Sequence, residues 1–194
     1  MTQIWISTDE AEDVAGAIRQ ALRSYRDTET DPQAWKYMLL ALHSALQGAC
    51  TCHLLTTAHP IGAVTDKNAG EWIDYLEKSR TNPAVKHPKT YMLNAVELAK
   101  RVRNANSSGD GCSSAILIAE PEIQWIRRIH DEVRNELVHF SPKGWSIEVS
   151  GIPEFAKLVS RIIGEIIAHG WAFRHQSPEW TAKLQRDLAA LSSL

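Results

Sequence analysis

Cysteine is scarce. Three thiols, Cys50, Cys52 and Cys112, occur among 194 residues, an odd number that makes no disulfide framework. Cys50 and Cys52 lie in a helix-like run, where side chains two apart point about 200° away from each other. Neither a disulfide nor a zinc knuckle is expected there. Long apolar runs are also missing. The longest, spanning Ile162 to Ala168, is broken by Glu165 and falls well short of the roughly 20 residues of a membrane span. The first ten residues hold neither a basic stretch nor an apolar core, so no signal peptide is read and a cytoplasmic location is expected. An excess of positive charge is absent too. With 21 basic and 23 acidic residues the net charge is −2, which excludes a strongly basic nucleic-acid module but not a local basic patch. Glycine (10) and proline (8) are too few for a collagenous or low-complexity chain. No glycine-rich phosphate loop is found: Gly109-Asp110-Gly111 reads as a turn, and Ser113-Ser114 lacks the context of a nucleophile elbow. His53, His59, His169 and His175 show no zinc-ligand spacing with a carboxylate, so neither a metal nor a cofactor is expected.

What remains is ordinary globular composition, 44% apolar and 23% charged, in a length that suits one domain over 1–194. The periodicity is helical almost throughout. Ser7 or Thr8 caps a first helix to about residue 26, with Glu10, Glu12 and Asp13 at its positive end. Asp31-Pro32 opens a second helix, in which Trp35, Met38, Leu42, Ala45, Ala49 and Cys52 recur at three- and four-residue steps. A loop covers 57–69 and a short helix 70–79. Pro83 and Pro88 mark a connection, followed by a helix over about 90–104 and a polar loop over 104–114. A long helix is expected over about 119–140 and stops at Pro142-Lys143-Gly144. Residues 145–149 alternate and suggest a short extended segment. Pro153 opens a helix to about 174, and Ser177-Pro178 opens the last one to about 191. The reading is an all-α up-and-down bundle.

One segment carries candidate chemistry. Ile126, Ile129, Val133, Leu137 and Phe140 form the apolar stripe of the 119–140 helix, and Arg134, Asn135 and His139 lie off it. Asn135 and His139, four apart, share a face. Arg134 and His139, five apart, diverge on a straight helix, so they converge only across a frayed end or a symmetry axis. An arginine followed by a polar residue and then a histidine, near the end of a long helix in an all-α bundle, resembles the HEPN superfamily, whose signature places four to six residues between the two. Arg80 and His87 also match the spacing, but Pro83 interrupts them.

The resemblance implies a fold and an activity. Many members of that superfamily are metal-independent endoribonucleases of toxin–antitoxin, phage-defence or RNA-processing systems, and others have lost activity. They dimerise so that two motifs face one cleft. Carried to this chain, it implies a homodimer that cleaves RNA, with Arg134, Asn135 and His139 as catalytic residues. A cognate antitoxin or a nucleotidyltransferase is the implied partner. The alternative is an inactive HEPN-like scaffold that binds a nucleotide or a partner protein.

The residue types suit the chemistry. RNA is cleaved when its 2′-hydroxyl loses a proton and the 5′-oxygen gains one, and an imidazole serves either step near neutral pH. An arginine offers a planar, permanent cation to the developing phosphorane charge. The plain alternatives are a surface ion pair for Arg134 and a dipole-stabilised helix-end cation for His139. Residues 119–145 carry four basic and five acidic groups, which is no RNA track. The basic stretch is 80–103, with six cations against Glu97; Arg101 and Arg103 from it, with Lys143, are the candidate RNA-binding residues. His43 is in reach of such a site from the second long helix, and reads first as a satisfied core or surface histidine.

Overall fold

The structure is a computed structural model. It describes residues 4–6, 8–57, 60–138, 144 and 146–194, and the backbone of residue 139. The described residues are 64% helical, and they contain seven helices and no strand. The expected all-α bundle is what forms.

Helix α1 (Glu10–Asp27) is capped one residue later than expected. The Asp9 carboxylate accepts from the Glu12 N–H at 2.8 Å, and Glu10, Glu12 and Asp13 fill the first turn. Thr8 instead donates its hydroxyl to Asp13 at 2.8 Å. Helix α2 (Ala34–Leu54) follows after a tight connection. Asp31 starts it by accepting from the Gln33 N–H at 2.8 Å. Met38, Leu39, Leu42, Leu46, Ala49 and Cys50 are almost wholly buried on α2, because α1, α4, α5 and α6 all pack against it. Its residue 48 must be small. A Cβ on Gly48 would stand 2.8 Å from Val14 Cγ2 of α1.

Helix α3 (Asp66–Ser79) starts four residues earlier than the sequence suggests, because Thr65 accepts from the Asn68 N–H at 3.3 Å and caps it. Helix α4 (Ala95–Val102) starts later. Residues 91–93 are held extended against 63–65: Leu93 N–H donates to Ala63 O at 2.9 Å, Thr65 N–H donates to Tyr91 O at 3.1 Å, and Val64 and Met92 form an isolated bridge. Asn94 then caps α4 by accepting from the Glu97 N–H at 3.0 Å.

The long helix predicted over 119–140 forms over 120–139 and is written here as α5. It has three parts: an α-helical start (Glu120–Arg128), a π-helical middle (Ile129–Arg134) and an α-helical end (Asn135–His139). Ile123, Ile126 and Ile129 are buried, and none of residues 130–138 is. Helix α6 (Ile152–Ala168) ends well before 174. Gly170 turns the chain there at φ +77°, a left-handed conformation that favours glycine just past a helix end. Helix α7 (Pro178–Ser192) is capped by Ser177, with Pro178 in its first turn.

Buried apolar side chains of α1, α2, α4, α5, α6 and α7 form one core, with Phe155 on α6 among its largest members; α3 contributes none. Residues 146–149 pair with no strand among the described residues. They border a crevice of about 450 Å³ whose walls include Trp125, Val133, Ile147 and Phe155. Residue 145 lies outside the described residues. Among those described, no helix is long and apolar enough to cross a membrane.

Candidate functional site

The site is built from α2 and from the π-helical part of α5. A π turn adds a residue to the helical repeat and interrupts the regular backbone ladder, a feature found often at functional sites. Here it coincides with a tertiary contact. His43, buried in mid-α2, faces His130 of the π segment, with His43 Nε2 and His130 Nδ1 2.9 Å apart. The two rings stack at 13° between planes, centroids 5.2 Å apart.

Both imidazoles are held neutral. Burial pushes the His43 pKa down to about 4, and the proximity of His130 and the Arg134 charge push it the same way. His130, half-buried, is also lowered, first by desolvation and then by Arg134, with Asp131 opposing. Two neutral rings share one N–H···N bond, so one donates and the other accepts. The half-exposed His130 is then an uncharged imidazole beside a permanent cation. That combination accepts a proton at neutral pH more readily than it delivers one.

Arg134 and Asn135 are both half-buried. The Arg134 guanidinium donates to Asn135 Oδ1 at 3.1 Å, which leaves most of its N–H fork for another acceptor. The sequence placed Arg134 and Asn135 together, and the structure adds His130 and His43 to them. The side chain of His139 lies outside the described residues, and its backbone closes α5. His130 stands four residues before Arg134, a one-turn spacing that was readable in the sequence. Its contact with His43, 87 residues away, was not.

The candidate RNA-binding arginines are engaged within the chain. Arg101 donates to the backbone oxygens of Gly62 and Val64 at 3.2 and 3.0 Å and pairs with Asp66 at 2.7 Å. It therefore ties α4 to the start of α3. Arg103 pairs with Glu120 at 2.9 Å across α4 and α5. Lys143 lies outside the described residues. No cluster of three or more potential metal ligands occurs among the described residues.

A second buried histidine sits apart from this site. His53 of α2 is fully buried, with Nε2 3.2 Å from Ser107 Oγ. The Ser107 hydroxyl donates to Val102 O, so Nε2–H of His53 is the donor. Its Nδ1 is buried, with no hydrogen-bond partner among the described residues. Burial, with His169 adding to it and Asp110 opposing, pushes its pKa down to about 4.

These two histidines predict an acid-labile fold. Each binds a proton near pH 6.5 when unfolded but only near pH 4 when folded. Between those values the unfolded chain holds more protons, so stability falls as the pH drops through that window. A loss of about 2–3 kcal/mol per histidine is expected by pH 4. Urea midpoints from pH 7.5 down to pH 4 measure it, and the slope should flatten in His53→Gln. A midpoint independent of pH across the window would show that neither histidine is buried in solution.

Comparison with family models, with curated proteins and with solved structures finds no match for this chain.

Proposed function

We propose that this protein is a metal-independent endoribonuclease of the HEPN type that acts as a homodimer. The observation that carries the reading is the gathering of Arg134, Asn135, His130 and His43 at the π-helical turn of α5. A free guanidinium fork suits the charge that builds on a phosphorane. A neutral imidazole next to it suits removal of the 2′-hydroxyl proton, and His139 is assigned the proton delivered to the 5′-oxygen. The nucleophile comes from the RNA.

Dimerisation agrees with the exposure pattern along α5. Ile123, Ile126 and Ile129 are covered, whereas none of residues 130–138 is buried. A second copy against this end buries Val133, Leu137 and Val138 and brings two Arg134 groups to one cleft. Such an interface covers more than about 1,000 Å², and light scattering at micromolar concentration should return twice the chain mass.

Incubation with mixed single-stranded RNA in EDTA tests the activity. Cleavage is expected to persist and to leave 2′,3′-cyclic or 3′-phosphate ends, because the attacking oxygen belongs to the substrate. Strict dependence on a divalent ion, or 3′-hydroxyl ends, would sink the mechanism. Absence of cleavage on every RNA tried would leave the scaffold reading in its place.

A further inference from the structure

Helix α3 and the connection after it form a surface that the core does not explain. Only Asn68 of α3 is buried, and none of its apolar residues belongs to the core. Asn68 fixes the connection to the helix, donating to Lys89 O at 2.8 Å and accepting from the Tyr91 N–H at 2.9 Å. That holds residues 87–91 against α3. The contact gathers aromatic rings: His87 stacks on Trp72 at 10° between planes, centroids 6.2 Å apart, and Tyr75 meets both edge-on. Trp72 Nε1 is buried, with no hydrogen-bond partner among the described residues. Ile73, Tyr91 and Met92 stand exposed at 46%, 55% and 42%.

The connection that follows α3 carries charge of one sign. From Lys78 to Asn94 there are four cations, Lys78, Arg80, Lys86 and Lys89, and no acid. Arg80, Lys86 and Lys89 are exposed and make no ion pair among the described residues. The acids of α3 are largely occupied. Asp66 is held by Arg101 at 2.7 Å, Asp74 by Lys78 at 2.7 Å, and Glu71 accepts from Asn68 at 2.8 Å. Glu77 is left over.

We infer that the face formed by Trp72, Tyr75 and His87 with Arg80, Lys86 and Lys89 is a binding platform for single-stranded RNA. The exposed His87 ring, backed by Trp72, offers bases of any sequence a stacking surface, and the exposed cations on either side of it, Lys86 and Lys89, follow the phosphates. A duplex hides its base faces and so fits this surface poorly. An acidic protein would need the cations but not the rings. A second copy would set one basic connection near another, which the charge disfavours. The ligand class is that of the proposed nuclease, and the inference rests on that reading for its biological sense. Its physical support is separate, since α3 is remote in sequence from the Arg134 segment and makes no part of it.

The test uses a labelled 2′-O-methyl oligouridylate of about 12 nucleotides, which lacks the nucleophile and stays intact. Wild-type protein is expected to bind it, and a duplex of equal length should compete poorly. Trp72→Ala should weaken binding at least about fivefold through lost stacking. Lys86→Glu/Lys89→Glu should weaken it further and reduce the slope of log K against log salt by about 1.4, at about 0.7 per cation on a single strand. Both charge changes are on exposed residues, so this variant keeps the test alive should Trp72→Ala fail to fold. Equal competition by polyglutamate with no effect of Trp72→Ala would overturn the platform, as would unchanged RNA binding in the lysine variant. A shift in chain mass by light scattering in place of an RNA effect would assign the face to self-association and overturn it too. Binding through this face without cleavage of ordinary RNA would sink the nuclease and leave the platform standing.

Discussion

Replacing His139 by alanine is expected to slow RNA cleavage by at least about 10²-fold, the usual worth of a positioned acid or base. Arg134→Ala should fall in the same range through lost charge stabilisation. Arg134→Lys should recover it only in part, because a lysine lacks the planar fork. Among the described residues the Arg134 side chain makes one hydrogen bond, to Asn135 at 3.1 Å, and it lies off the core. Arg134→Ala should therefore melt within a few degrees of wild type. A second readout separates chemistry from folding. The Arg134 charge lowers the proton affinity of both His43 and His130, so its removal should move the acidic limb of the rate profile to higher pH, whereas Arg134→Lys should leave that limb in place. An alanine variant that cleaves at the wild-type rate would remove Arg134 from the mechanism. One that unfolds would make the residue structural.

The second large effect is on stability. Gly109 belongs to the polar 104–114 loop, and its N–H donates to His53 O at 2.9 Å. A Cβ at this position would stand 1.8 Å from Leu55 O and 2.4 Å from Trp171 Nε1. Those two atoms are themselves bonded, since the indole donates to Leu55 O at 2.8 Å. Gly109→Ala therefore has to lift the loop off the end of α2 and break one or both bonds. A loss of about 3 kcal/mol is expected, or roughly 6–12 °C in melting temperature for a chain of this size. Gly70→Ala is the control. It lies in α3 with no atom within 4 Å of a new Cβ, and should be neutral or stabilise by up to about 1 kcal/mol. Equal melting temperatures for the two variants would show that the loop does not dock where described.

Much of the helical layout was legible because it is local. The apolar steps from Trp35 to Cys52 require a helix buried over a wide face, and α2 buries its residues from Ala34 to Leu54 over such a face. Prolines and polar caps marked the starts of α6 and α7 for the same reason. Where the reading slipped, a distant partner had intervened. Residues 90–94 have helical periodicity, yet 91–93 pair with 63–65, so α4 waits for the Asn94 cap. The helix expected to reach 174 is cut by the left-handed turn at Gly170.

The candidate site divides along the same line. Arg134 and Asn135 were visible as chain neighbours on one helix, but their hydrogen bond was not, because residues one apart do not face each other on a regular helix. Arg101 and Arg103 were visible as cations, but charge counts do not reveal that Asp66 and Glu120 already hold them. The sequence by itself determined an all-α chain, the approximate course of its helices, and which helix carries the arginine. Only the tertiary structure decided that α5 winds into a π turn, that His43 and His130 meet there, and that α3 is left outside the core. The reason is physical: periodicity encodes which face of a helix is apolar, whereas the partner that covers a face, or leaves it bare, is set by how all the helices pack at once.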